Sequence, residues 1–102
     1  MLKCIFLNLD KSGKSTNHLG IMPNVTHDNG TGIYKIDYSC MNLKSEPYIF
    51  ITPTTPNYVV SLMEYNNKTC IIVTKPLEDY VSICLGNVDK DCSMSIQIHG
   101  IC

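Results

Sequence analysis

Tryptophan, arginine and alanine are absent from this sequence, and all eight of its cations are lysine. Isoleucine and asparagine are plentiful, a bias we take as that of an AT-rich coding sequence rather than as chemistry. The net charge is −1 and the lysines stand singly, so the basic stripe that phosphate neutralisation on nucleic acid requires is missing. No apolar run approaches the ~20 residues of a membrane helix. The apolar run within Met1 to Asn8 is too short for a signal h-region and lacks a small-residue cleavage site, so neither membrane insertion nor a cleavable signal is expected. No window carries a 3.6-residue period, which predicts negligible helix.

The motifs of common enzyme chemistry are missing too. There is no Cys-x-x-Cys, and His18, His27 and His99 lie too far apart for zinc-like spacing. Asp89 and Asp91 offer calcium two carboxylates where a site needs about six oxygens or more. Gly13-Lys14-Ser15 looks like the tail of a P-loop, but Asn8 stands where the first glycine belongs, and Gly20 and Pro23 break the helix that should follow. Ser61 and Ser82 have no nucleophile-elbow context, and no paired carboxylates are recognisable. No catalytic residue, metal or cofactor is expected, and the chain reads as non-enzymatic.

What is present suits a single domain. The 102 residues, 44% hydrophobic and 17% charged, are enough for one core. Gly30 to Pro53 sets the pattern. Gly30-Thr31-Gly32 makes a turn, and Tyr34, Ile36 and Tyr38 alternate with Lys35 and Asp37, the period of a half-buried strand. After a polar connection from Asn42 to Glu46 and a stop at Pro47, Tyr48 to Thr52 carries no charge. That run predicts a strand covered on both faces, ended by Pro53.

Further strands are expected at Leu2 to Leu9, at Tyr58 to Tyr65 and Thr69 to Lys75 as a hairpin through Asn66-Asn67-Lys68, and at Tyr80 to Leu85. Cys92 to Ile98 closes the series, with Cys92, Met94, Ile96 and Ile98 on one side and Ser93, Ser95, Gln97 and His99 on the other. His99 is expected to face solvent. Asn17 to Asp28 is too broken for a helix and predicts one short strand, around Gly20 to Met22 or Val25. Asp91 is expected to bond backbone amides near the last strand. About seven or eight short strands with turns every 8 to 12 residues make an all-β fold, a single antiparallel β-sandwich of jelly-roll-like kind.

The six cysteines (4, 40, 70, 84, 92 and 102) are an even count, which a secreted chain would pair. Their wide spacing, and the places of several inside strand patterns, favour mostly reduced thiols acting as small hydrophobes. A cysteine paired with a histidine as nucleophile is the weaker reading. Asn24, Asn29 and Asn67 begin Asn-x-Ser/Thr triplets, which matter only in a eukaryotic secretory route. Tyr48, Tyr58, Tyr65 and Tyr80 sit near strand ends beside turns. There an amphipathic ring either covers a sandwich edge or meets a partner or sugar, and with Ser82 they are the candidate binding or interface residues.

Asn8-Leu9-Asp10-Lys11-Ser12-Gly13, Asn24-Val25-Thr26, Gly30 to Tyr38, Pro47 to Pro53 and Asp91-Cys92-Ser93-Met94 with Gly100 together resemble the small all-β head domains of phage tail fibres and collagen-like fibre proteins. Tyr38 stands where phenylalanine is usual, and Met94 or Cys92 replaces the aromatic of the last strand. The resemblance implies a sandwich similar to tumour-necrosis-factor-like heads, framed by Gly30, Gly32, Tyr34, Ile36, Tyr38, Pro47, Ile51, Pro53, Asp91, Met94 and Gly100. It further implies a homotrimer on a virion or fibre surface that adheres to a glycan or protein receptor. The alternative is a small secreted, disulfide-stabilised domain acting as a host-directed virulence or immune-evasion factor.

Overall fold

A computed structural model of the chain describes residues 1–77 and 90–102. Within them run β1 (Leu2–Leu9), β2 (Ser15–Leu19), β3 (Asn24–His27), β4 (Ile33–Asp37), β5 (Tyr48–Pro53), β6 (Tyr58–Tyr65), β7 (Thr69–Pro76) and β8 (Met94–Ile101). They form two four-stranded antiparallel sheets, ordered β2-β1-β8-β5 and β3-β4-β7-β6. The expected β-sandwich is therefore the observed fold. Tyr80, Ser82 and the strand anticipated from Tyr80 to Leu85 lie outside the described residues.

Alternation builds the core. Ile5, Leu7 and Leu9 of β1 and Met94, Ile96 and Ile98 of β8 face Tyr34 and Ile36 of β4 and Cys70 and Ile72 of β7, all buried. Val60 and Leu62 of β6 and Ile49 and Ile51 of β5 close its sides. Each buried aliphatic side chain stabilises such a core by about 1.5–3 kcal/mol relative to exposure. Gly100 continues the inward row of β8. A Cβ built there would stand 2.5 Å from Leu43 Cδ2, so the glycine admits Leu43.

Several local expectations need correction. Tyr48 to Thr52 is not covered on both faces: Tyr48 is 76% and Phe50 57% exposed, because only the Ile49 and Ile51 side of β5, the edge strand among the described residues, meets the core. Pro53 and Pro76 end their strands from within, as the last residues of β5 and β7, rather than standing beyond them. Between β1 and β4 there are two strands instead of one: Val25 lies in β3 as one of the two expected places, whereas Gly20 to Met22 lies in neither. The strand at Ser15–Leu19 has a polar sequence and is held by its ladder to β1 rather than by burial. The connection before β5 is not simply polar either. A 3-10 turn at Ser39–Met41, released by Asn42 at φ 53°, drives Met41 and Leu43 into the core.

The turns close with side-chain acceptors. Asp10 Oδ1 accepts from Ser12 N, Ser12 Oγ and Lys14 N at 2.6–3.0 Å, which turns the Gly-Lys-Ser segment back on β1. Asn66 Oδ1 accepts from the amides of Lys68 and Thr69 and closes the β6–β7 hairpin. Tyr38, fully buried, donates its hydroxyl to the carbonyls of Asn66 and Thr69. Burial raises its phenol well above the ordinary range. Asp91 does accept backbone amides, but those of Gly30 and Gly32, at 2.7 and 2.8 Å, in the turn before β4.

Candidate functional site

The outer face of the first sheet is where the chain departs most from an ordinary solvated surface. Antiparallel register places its residues in rows. Leu19, Phe6, Gln97 and Phe50 cross the sheet in one row, Cys4, His99 and Tyr48 in the next, and Leu2 with Ile101 beyond. Asn17, Asn8, Ser95 and Thr52 make the polar row at the other end. None of these positions is Asp, Glu or Lys, although 17% of the chain is charged. Leu2, Phe6, Leu19, Tyr48, Phe50 and Ile101 are all exposed.

His99 stands at the centre of the face, and there the expectation of a simply solvated side chain fails. Its ring meets the edges of Phe6 and Phe50, each with centroids 5.7 Å away and near-perpendicular planes. Edge-to-face aromatic contacts of this kind contribute about 0.5–1.5 kcal/mol each. Cys4 Sγ lies 3.1 Å from Nδ1, and Gln97 Oε1 lies 3.2 Å from Nε2. The half-buried imidazole is thus held on four sides by β1, β5 and its own strand.

A second polar cluster lies at one end of the sandwich. His27 stacks on Tyr34 with centroids 3.9 Å apart and planes 6° from parallel, and its Nδ1 contacts the Ile33 carbonyl at 2.7 Å. Its Nε2 lies 3.1 Å from Asp91 Oδ2, a close approach outside hydrogen-bond alignment. Tyr34 donates its hydroxyl to the Lys11 carbonyl and accepts from the Cys92 amide, and burial pushes its phenol up to about 12. Burial works to raise Asp91, but the amides of Gly30 and Gly32 and the His27 ring outweigh it and hold the carboxyl below its usual range. This network locks the start of β4 to the entry of β8. Its groups are engaged with one another and with the backbone of the two segments they join.

Of the candidate tyrosines, the three among the described residues, Tyr48, Tyr58 and Tyr65, do not share one surface. Tyr48 lies on the uncharged face, whereas Tyr58 and Tyr65 mark opposite ends of β6 in the other sheet. Tyr65 lines an open groove of about 420 Å³ with Glu46, Met63, Glu64, Asn66, Thr69 and Ile71. Cys4, Phe6, Leu19, Phe50 and His99 were missed as site residues. The alternation of β1 and β8 gave the signal for the outward direction of Phe6 and His99, but which strands flank them is a property of the fold.

Cys4, Cys40, Cys70, Cys92 and Cys102 are free thiols, so no disulfide joins the described residues. Burial raises the Cys92 thiol and pushes that of Cys70 up to about 12, which suits inert core positions. Among the described residues, no group of three or more His, Cys, Asp or Glu side chains is placed to hold a metal ion. No described helix is long and apolar enough to cross a membrane. Compared with known proteins, the chain matches no family model, no curated sequence and no solved structure.

Proposed function

We propose that this chain is a non-enzymatic assembly and recognition module that meets further copies of itself through the outer face of the first sheet. The observation that carries this reading is the exposed, uncharged, aromatic-bearing surface around His99. A second copy is the favoured occupant because a surface without Asp, Glu or Lys faces its own image with no like-charge repulsion. Strands about 4.8 Å apart with a rise of about 3.3 Å per residue give this face roughly 450 Å² in projection. The face, its polar row included, is thus comparable in size with the largest patch a typical monomer exposes. Two such patches approach the roughly 1,000 Å² of a specific contact.

The resemblance to fibre heads favours a homotrimer, with loops at the sandwich ends left for a glycan or protein receptor. A two-fold pairing of the same face is the other closed form. Light scattering over a concentration series tests the proposal: a trimer or dimer mass supports it, and a monomer mass at high micromolar concentration overturns it. A glycan array then tests the receptor role, and silence there would leave assembly as the function.

A further inference from the structure

We propose that Cys4 and His99 form a thiol-exchange site that takes small disulfides, an activity beyond the assembly role. The two are cross-strand partners on β1 and β8, with Sγ 3.1 Å from Nδ1. On the other side of the ring, Nε2 faces the side-chain oxygen of Gln97 at 3.2 Å. In the tautomer that supplies the Gln97 oxygen with a donor, the ring proton sits on Nε2 and Nδ1 keeps its lone pair toward the thiol. The thiol therefore donates to Nδ1, the relation in which an imidazole activates a sulfur nucleophile. Phe6 and Phe50 hold the ring plane in place.

The other described thiols lack this arrangement. Cys70 and Cys92 are buried, Cys40 is exposed on the 3-10 turn, and Cys102 Sγ faces the Met1 carbonyl at 3.6 Å. β8 lies between β1 and β5, so its amides are spent in two ladders and form no oxyanion hole.

Exchange needs no such hole. The Cys4 proton passes to His99 Nδ1 and Sγ attacks one sulfur of the disulfide. The new S–S bond forms as the old one breaks, and the departing thiolate takes the proton back from His99. One disulfide enters; one mixed disulfide on Cys4 and one free thiol result, with no other oxidant. On the assembly reading, the added group stands on the face by which copies meet and holds them apart.

The test treats the reduced full chain with 2-hydroxyethyl disulfide, at a dilution where light scattering reads a monomer, and maps mixed disulfides by mass spectrometry. Cys4 is expected to react at least about tenfold faster than the more exposed Cys40, a modest share of what general acid–base assistance provides. His99→Gln should bring Cys4 down to the Cys40 rate and leave Cys40 unchanged. His99→Phe, which keeps an aromatic between Phe6 and Phe50, should do the same in a chain whose packing is preserved. Equal rates at Cys4 and Cys40, or a Cys4 rate indifferent to both substitutions, overturn the site. If the chain stays assembled on dilution, the comparison is made in Leu19→Lys, which charges the edge of the face. A parent chain that is still a monomer at high micromolar concentration, with a fast Cys4, overturns the assembly and leaves the exchange site standing. A Cys4 that is slow in both backgrounds overturns the site alone.

Discussion

Asp91 shows how one carboxylate ties distant parts of the chain. It accepts the amides of Gly30 and Gly32 across about sixty residues of sequence. Charge-assisted bonds of this kind, partly screened by solvent, stabilise the fold by about 1–2 kcal/mol. Because the folded-state pKa is lowered, that contribution is present above the unfolded value of about 4 and is lost as pH falls through the folded value. Asp91→Asn should therefore lower stability to urea at neutral pH and flatten its decline in acid; parallel pH profiles of the two chains would exclude this role. Tyr38 makes the complementary case. Tyr38→Phe, which installs the residue usual in fibre heads, removes the donor that the Asn66 and Thr69 carbonyls share and should cost about 1 kcal/mol. A urea midpoint unchanged by Tyr38→Phe would show that water replaces the hydroxyl.

At the scale of elements, strands differ in what holds them. β8 has Met94, Ile96, Ile98 and Gly100 buried and a ladder on each side, whereas β2 is an exposed strand with one ladder among the described residues. Amide exchange should accordingly be fast along β2 and slowest in β8; protection in β2 equal to that in β8 would point to a partner covering the edge. The same contrast explains what the sequence could reveal. β4 and β8 are legible because alternation records burial: the spacing puts Tyr34, Ile36 and Tyr38 on one side of a half-buried strand, and the fold makes that side the core. Ser15–Leu19 carries no such record, since backbone pairing leaves no mark on side-chain type. β5 was misjudged because an uncharged strand looks the same whether its second face is buried or kept apolar and exposed.

At the scale of the whole molecule, the surface that matters is assembled by register. Phe6, Phe50 and His99 are meaningless as a spacing, and Cys4 meets His99 only because β1 and β8 pair over their full length. Phe50→Lys places a charge on the β5 side of this face, beside His99, and should cost about 0.5–1.5 kcal/mol through the lost aromatic contact while leaving the chain folded. It should also bring the light-scattering mass to that of a monomer. A mass unchanged from the parent would place the contact elsewhere on the sandwich.

The place of β8 also governs how the chain reaches this structure. Among the described strands the one that separates β1 from β5 comes last in sequence, so during synthesis the first sheet stands open after the described strands of the second have emerged. Until residues 94–101 emerge, β1 and β5 each present an unpaired edge, and the core lacks one wall. Pairing over so long a separation closes slowly, on the millisecond-to-second scale typical of sandwiches. A nascent chain halted before Met94 is therefore a natural client for chaperones, and release of the last strand acts as the final latch of folding.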